Sequence, residues 1–198
     1  MATPKGEATK RRILDAAVDL LIAGGAARLS LDDVLRTTAT SKGQLFSHFP
    51  GGKDELRRAA TELQVRRLID HGTPGPLATW DDWEAWFGQI IALHVRQTRE
   101  DACEVAALAG RALDADPTER ALIGRVFTQW DTDLRERLDT LRTNGLLRPD
   151  APVDQLSSLI IAVLQGGAVM DRATASTAHL THALQQTMTL LRGYAPAD

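Results

Sequence analysis

The chain has 198 residues, of which 43% are hydrophobic and 25% charged, and its formal net charge is −3 at pH 7. This composition agrees with a compact soluble protein that has room for a core and a second module. One cysteine, Cys103, excludes an internal disulfide and a Cys-based zinc site with the usual number of ligands. No apolar run approaches about eighteen residues and the N-terminus lacks an apolar signal segment, so we expect a cytoplasmic protein without membrane contact.

The charges are divided unevenly along the chain. Residues 1–58 contain ten Lys or Arg and seven Asp or Glu, a net of +3, whereas residues 59–198 contain thirteen and nineteen, a net of −6. A local basic excess suits phosphate binding, although a solvated set of charges is the simpler interpretation of this feature alone.

The first predicted helix follows a polar segment, residues 1–8, that we expect to be a mobile arm. Apolar residues then recur at helical spacing from about residue 8 to residue 23. Gly24-Gly25 follows them and can supply the left-handed residue that ends a helix. This helix would brace the segment that comes next.

Two helix starts lie close together between Ser30 and Phe49. Ser30 with Asp33, and Ser41 with Gln44, are pairs in which a hydroxyl caps exposed N–H groups and a second side chain can reach back. The first helix can run only to about residue 37 before the second cap, and this spacing predicts a helix-turn-helix.

The second helix of this hairpin has a polar outer face. Leu45 and Phe49 should turn to a core shared with Leu31, Val34 and Leu35. The major groove of DNA accepts such a helix, where Gln can bridge a base edge and Lys and His can meet phosphate. An ordinary helical hairpin with a solvated face is the alternative. The outer face consists of Lys42, Gly43, Gln44, Phe46, Ser47 and His48.

The remaining residues keep helical spacing. Helices are predicted at about residues 53–70, 79–99, 102–115, 118–143, 153–172 and 176–193, with a Pro/Gly-rich loop at residues 71–76. The predicted fold class is therefore all-α. It consists of a three-helix helix-turn-helix domain at residues 1–52 and a helical domain at residues 53–198.

The segment from about Thr9 to Ala59 resembles the DNA-binding domain of the TetR family of bacterial transcriptional repressors. The resemblance lies in RILDAA at residues 12–17, Gly24-Gly25, SKGxLFxHFP at residues 41–50, and Lys53. It implies that the helix after Ser41 reads DNA and that Lys53 contacts phosphate. Residues 49–53 further resemble a subgroup that includes drug- and flavonoid-responsive repressors. The predicted DNA-binding residues are Ser30, Ser41, Lys42, Gly43, Gln44, Phe46, Ser47, His48 and Lys53.

Three positions depart from the family pattern. Phe46 stands where Tyr is usual, so a phosphate hydrogen bond from that hydroxyl is not expected. Ala39 replaces the usual turn Gly, which costs about 1 kcal/mol if that position needs a positive φ. Ser47 replaces a common second His, a change that bears on operator sequence.

Aromatic residues are concentrated in the helix at residues 79–99. They can be core residues, or they can line a pocket for a flat apolar molecule. The resemblance favours the pocket, because the family generally has a helical sensing domain whose ligand alters the spacing of two DNA-binding domains. Residues 103–117 and 165–167 are also similar to such domains. The predicted ligand-binding residues are Trp83, Trp86, Phe87, Ile90, His94, Cys103, Phe127, Trp130 and Gln165.

The last two helices carry more apolar residues than a terminal hairpin normally needs. Either they form one internal packing face, or two hairpins form a homodimer. Gly166-Gly167 would permit close approach of a backbone or a ligand. The apolar residues are Leu156, Leu159, Ile160, Val163, Leu164, Val169, Met170, Leu180, Leu184, Met188 and Leu191.

The sequence thus predicts a homodimeric repressor that a hydrophobic or aromatic small molecule releases from a palindromic operator. A helical enzyme and a protein-interaction scaffold are the alternatives. His179-x-x-His182 lies on one helix face, but two His without a nearby carboxylate make an incomplete metal site. We find no catalytic motif in the sequence and expect neither a metal nor a cofactor.

Overall fold

A computed structural model shows helices joined by short turns. It describes residues 4–71, 75–100 and 104–196, apart from the side chains of residues 71, 97–100 and 106, and it contains no strand in these ranges. The helices are α1 Pro4–Arg28, α2 Leu31–Thr38, α3 Lys42–His48, α4 Gly52–His71, α5 Trp80–Glu100, α6 Glu104–Arg111, α7 Pro117–Thr143, α8 Val153–Thr174 and α9 Ala178–Arg192. The all-α prediction is confirmed.

The chain forms two compact units. Unit 1 contains Met1–Leu68 and Ala107–Arg125, and unit 2 contains Ile69–Ala106 and Val126–Asp198. This division differs from a boundary between residues 52 and 53. Leu56 and Ala60 of α4 are fully buried in the core of unit 1, which places most of that helix in the N-terminal unit.

Unit 1 has its own hydrophobic core. Helices α1 to α4 contribute to it, and its largest buried side chains are Ile13, Leu21, Leu29, Leu45, Phe49 and Leu56. Val34 is also buried there, while Leu31 and Leu35 pack against it half-buried. The core shared by the two helices of the hairpin, which the sequence predicts, is confirmed.

Unit 2 has a second core that lies between α5, α7, α8 and α9. Trp83, Phe87, Leu138 and Leu141 are buried in it. Most of the apolar residues of the last hairpin are core residues too, because α8 packs along α9. Six of the eleven predicted above are buried there: Leu156, Ile160, Leu180, Leu184, Met188 and Leu191.

Helix α8 has an 18-residue window with a mean hydropathy of 1.4, so by length and composition alone it could cross a membrane. The sequence has no uninterrupted apolar run of that length, since polar residues occur throughout the helix. Leu156 and Ile160 of α8 lie in the core of unit 2. A Cβ atom at Gly167 would lie 2.5 Å from the Leu180 side chain. That contact confirms a close approach at Gly167, and one face of α8 packs in the core of unit 2.

Two predicted segments differ from the structure. Residues 4–8 of the predicted arm belong to α1, since Pro4 suits the first turn of a helix and Glu7 favours its positive end, and residues 1–3 of that arm lie outside the described residues. Helix α6 ends at Arg111, before the predicted residue 115, and residues 112–114 form turns. The predicted loop at residues 71–76 lies partly outside the described residues.

Candidate functional site

The hairpin of α2 and α3 is fixed by its caps. The Ser30 hydroxyl accepts a hydrogen bond from the Asp33 amide at 3.4 Å, as the spacing predicts. In α3, the Ser41 hydroxyl accepts from the Gln44 amide at 3.2 Å. The Gln44 side-chain oxygen accepts from the Ser41 amide at 2.9 Å. This reciprocal pair satisfies two N–H groups that a helix start otherwise leaves without partners.

The turn between the two helices depends on Ala39. This residue has φ 49° and ψ 38°, the left-handed conformation. Its amide and that of Thr40 bond back to the carbonyls of Arg36 and Leu35, which closes α2 in the usual C-terminal manner. Ala39 therefore occupies a position that favours glycine, as its place in the family pattern implies.

The outer face of α3 points away from the core. Leu45 is fully buried and Phe49 nearly so, and this fixes the rotation of the helix. The other predicted DNA-binding residues are exposed, except that Ser30 and His48 are half-buried. The exposed residues are Ser41, Lys42, Gly43, Gln44, Phe46, Ser47 and Lys53.

Phe46 lies close to a residue of α4, a contact that the sequence does not indicate. A Cβ atom at Gly52, which has φ +66°, would lie 3.4 Å from the Phe46 ring, and the ring is 38% exposed. The Gly51 amide donates to the Glu55 carboxylate at 2.7 Å. The Phe46 ring therefore lies against the start of α4, and Lys53 follows directly on an exposed first turn.

A buried polar network connects three helices of unit 1. The Arg111 guanidinium of α6 donates to the Gln64 side-chain oxygen of α4 at 2.7 Å. The Thr61 hydroxyl donates to the Glu119 carboxylate of α7 at 3.1 Å, and Glu119 also pairs with Arg57. Arg111, Thr61, Gln64 and Glu119 are all buried. Sequence patterns did not predict this network, because its members lie far apart in the chain.

The predicted ligand-binding aromatics of α5 form one cluster. Trp83 and Phe87 are buried, and the Trp83 indole N–H donates to the Leu77 carbonyl at 3.2 Å. Trp86 is half-buried, with its ring centroid 5.5 Å from that of Trp83 and 5.2 Å from that of Phe87. Trp83 and Phe87 are thus core residues, whereas Trp86 and Ile90 are partly exposed.

The other predicted ligand residues are not gathered into this cluster. Phe127 and Trp130 of α7 contact each other edge to face with centroids 6.0 Å apart, and both are half-buried. Gln165 is half-buried on α8. Cys103, and with it the expectation that it is a small buried side chain, lies outside the described residues.

His94 lies close to an acidic residue that the sequence patterns did not predict as part of a site. Its Nδ1 atom lies 3.5 Å from a carboxyl oxygen of Asp171, which is 2% exposed on α8. Burial lowers the pKa of His94 below its usual value of 6.5, and the nearby Asp171 raises it in part. One signal was available in the sequence: Asp171 continues the i, i+3, i+4 series of the buried Gly167 and Ala168.

The outer faces of α8 and α9 expose several apolar side chains. Val169, Met170 and Leu190 are 55%, 41% and 43% exposed. Leu159, Val163 and Leu164 are half-buried, and a Cβ atom at Gly166 would meet nothing within 4 Å. His179 and His182 are both exposed on α9. The described part of the chain contains no group of three potential metal ligands.

Two family models together match most of the chain. The model of bacterial regulatory proteins of the tetR family matches residues 13–60, which include the whole hairpin. The model of the C-terminal domain of LmrA/YxaF-like transcriptional regulators matches residues 81–186, more than half of the chain. The first match contains the exposed face of α3, so this hairpin is a DNA-binding helix-turn-helix.

Individual proteins show the same relationship. An uncharacterized HTH-type transcriptional regulator from the lacX 3' region of Lactococcus lactis subsp. lactis is 27% identical over 173 residues, or 84% of each chain. The uncharacterized HTH-type transcriptional regulator YxaF of Bacillus subtilis is 24% identical over 198 residues, 96% of this chain and 98% of that one. A TetR transcriptional regulator from Chloroflexus aurantiacus, 24% identical, shares the fold with a TM-score of 0.79 over 98% of both chains. The chain belongs to the TetR family of DNA-binding transcriptional regulators.

Proposed function

We propose that this regulator is a homodimeric repressor, and that a hydrophobic or aromatic small molecule bound in unit 2 releases it from a palindromic operator. The observation that carries the DNA half of the proposal is the capped hairpin. The Ser41–Gln44 capping box and a buried Leu45 fix α3 while its outer face stays exposed. A regulator that acts in this way works in the cytoplasm, where the DNA is, and neither a cofactor nor catalysis enters the proposal.

Three side chains around α3 carry most of the proposed contact. Lys42 and Lys53 are exposed cations at the starts of α3 and α4, where helix N-termini also attract phosphate. The oxygen of Gln44 is occupied by the Ser41 amide, which turns its NH₂ group outward as a donor to a base edge. Ser30, Ser41, Gly43, Phe46, Ser47 and His48 complete the proposed surface.

A dimer through α8 and α9 would pair two such surfaces. Val169, Met170 and Leu190 are exposed on the outer faces of these helices, and Gly166 adds an open stretch of backbone. A second copy would cover these apolar groups and form a four-helix interface. Two recognition helices would then read half-sites roughly 34 Å apart, or a multiple of that distance.

Helix α6 offers a physical route between ligand and DNA. Val105, near its start, packs against Ala168 within unit 2. Arg111, its last residue, is hydrogen-bonded to Gln64 of α4 within unit 1. A ligand that displaces the start of α6 would therefore act on the helix that follows the recognition helix. Ligand and DNA must weaken each other's binding by the same factor.

The proposed ligand site lies along α5, where Trp86, Ile90 and His94 follow one another at helical spacing and are all half-buried. Trp83 and Phe87 would support this strip from the core. Phe127, Trp130, Gln165 and Cys103 remain predicted ligand contacts.

Selection of random duplex DNA on the purified protein at near-physiological salt tests the proposal. We expect a palindrome to be enriched by the wild-type protein and lost by the Lys42, Gln44 and Lys53 triple alanine variant. A matched control replaces Arg96, Arg125 and Gln155 with Ala, since these residues are exposed and outside the hairpin segment and their loss removes the same charges. If no sequence is enriched, or if both triple variants bind equally, the proposed interface is wrong.

The ligand half has a separate test. A small molecule that saturates unit 2 should lower the affinity of the protein for the selected operator. The operator should lower the affinity for that molecule by the same factor. A ligand that saturates the protein and leaves operator affinity unchanged would contradict induction and leave the DNA-binding half intact.

A further inference from the structure

Asp171 is a buried acid to which the packing of unit 2 gives no hydrogen bond among the described residues. Its side chain is 2% exposed, and among the described residues neither carboxyl oxygen accepts a hydrogen bond. Buried polar groups normally have hydrogen-bond partners, and a buried carboxylate without one is costly. This group therefore requires an explanation outside the packing of unit 2.

Its own helix does not compensate for it. Asp171 lies in the last turn of α8, which ends at Thr174, and the free carbonyls of a helix C-terminus disfavour a negative charge. The side chain nearest to it among the ion pairs is His94, at 3.5 Å. Because burial lowers the pKa of His94, the imidazole is mostly neutral at neutral pH and supplies little compensating charge.

The surroundings of the pair are apolar, and they are partly open on the His94 side, while the Asp171 carboxyl group is covered. On α8, the buried Gly167 and Ala168 precede Asp171 by one turn, and Val105 of α6 packs against Ala168. On α5, His94 continues the half-buried strip of Trp86 and Ile90, and its own side chain is 12% exposed. An acid thus lies at the end of an apolar and aromatic strip.

We infer that Asp171 is the anchor for the cationic or N–H donor group of an aromatic amine, whose apolar body lies along Trp86 and Ile90. The inference rests on the proposed function, since it names the chemical class of the ligand for the same unit. An ammonium group would supply the missing hydrogen bonds and the missing charge together, and charge-assisted bonds of this kind are the stronger ones. His94 would position the carboxyl group.

Matched pairs of probes test the inference. The binding affinities of 2-(1-naphthyl)ethylamine and 4-phenylbutylamine are each compared with that of the alcohol in which a hydroxyl replaces the amine. Titration calorimetry at neutral pH should show that the wild-type protein binds each amine about tenfold or more tightly than its alcohol. Asp171→Asn should abolish that preference. Asp154→Asn, which changes a 77% exposed acid on the same helix, should retain it.

Thermal unfolding of the same variants is the second readout. Asp171→Asn should unfold at the wild-type temperature or above it, because the amide removes an uncompensated acid. A variant that unfolds at lower temperature or fails to fold would show that the carboxyl group is structural, and this overturns the inference. So would amines that bind no better than alcohols, or no binding of the amines at millimolar concentration. A neutral aromatic compound that still releases operator would then leave the proposed function standing.

Discussion

Both units bury charged side chains, but the two sets differ in their hydrogen bonding. In unit 1, Glu119 pairs with Arg57 and accepts from Thr61, and Arg111 donates to Gln64. In unit 2, Asp171 is equally buried and accepts no hydrogen bond from the described residues. Glu119 and Arg111 each make at least one hydrogen bond to another helix, which fixes the helices of unit 1, whereas a buried acid with neither oxygen hydrogen-bonded is retained at a cost. The comparison suggests that the first serves the fold and the second serves binding.

The largest expected effect is on DNA binding, at the exposed face of α3. Gln44→Glu keeps the capping box, because Glu accepts from the Ser41 amide as Gln does. It loses the outward NH₂ donors and adds a negative charge where DNA should bind. We expect operator affinity to fall by about 100-fold or more with unfolding unchanged, since one good base contact contributes about 1–3 kcal/mol and the added charge opposes phosphate.

Fluorescence anisotropy with the selected operator, together with urea unfolding, measures both quantities. Gln155→Glu, an exposed change on α8, is the control. Equal operator affinity for Gln44→Glu and wild type would show that α3 does not present Gln44 to a base.

The unit 1 network should give the largest change in stability. Glu119→Gln preserves a partner for Thr61 but leaves Arg57 without its buried counter-charge. We expect the free energy of unfolding to fall by about 2–3 kcal/mol, somewhat below the usual effect of breaking a buried pair. The reason is that Arg57 is 19% exposed and also lies 3.5 Å from Asp116.

Urea unfolding of Glu119→Gln and of Glu136→Gln, an exposed change on the same helix, measures the difference. Two equal values would mean that the network contributes no more than surface charges do.

Local signals explain why unit 1 was more predictable than unit 2. Caps at Ser30 and Ser41 act over three residues, so they can be read from the sequence and they fix both helices of the hairpin. The Glu119 network and the His94–Asp171 pair join residues dozens of positions apart, and no local pattern reports such contacts. The aromatic strip of α5 shows the same limit, since helical spacing cannot distinguish the buried Trp83 from the half-buried Trp86.

The polar pair of unit 2 should make stability depend on pH. The pKa of His94 is lowered in the folded protein, so below about pH 6.5 the unfolded chain binds this proton more readily than the folded one. The contribution of neutral His94 to stability is therefore fully present above about pH 6.5 and is lost as the pH falls toward the lower folded pKa. The effect should be smaller than that of Glu119→Gln, because a single proton on a partly exposed group is involved.

Thermal unfolding as the pH falls from 7 compares wild type with His94→Gln, which cannot take up the proton. The variant should lose less stability than wild type below pH 6.5. His179→Gln, an exposed change on α9, should follow wild type. Parallel curves for wild type and His94→Gln would contradict a lowered pKa at this site.

The smallest expected effect compares one alanine from each unit. Ala39 and Ala175 are exposed C-cap residues with φ 49° and 51°, where a Cβ atom is strained. Glycine relieves that strain but makes the unfolded chain more flexible, so each change to Gly should raise the free energy of unfolding by only about 0.5–1 kcal/mol. Ala39→Gly should also leave operator affinity unchanged, because the turn already has the conformation that glycine favours.

Urea unfolding and operator titration decide both points: destabilisation by Ala39→Gly would mean that Ala39 is not left-handed in solution. Weaker operator binding with unchanged stability would mean that the side chain, and not the backbone, sets the angle between α2 and α3.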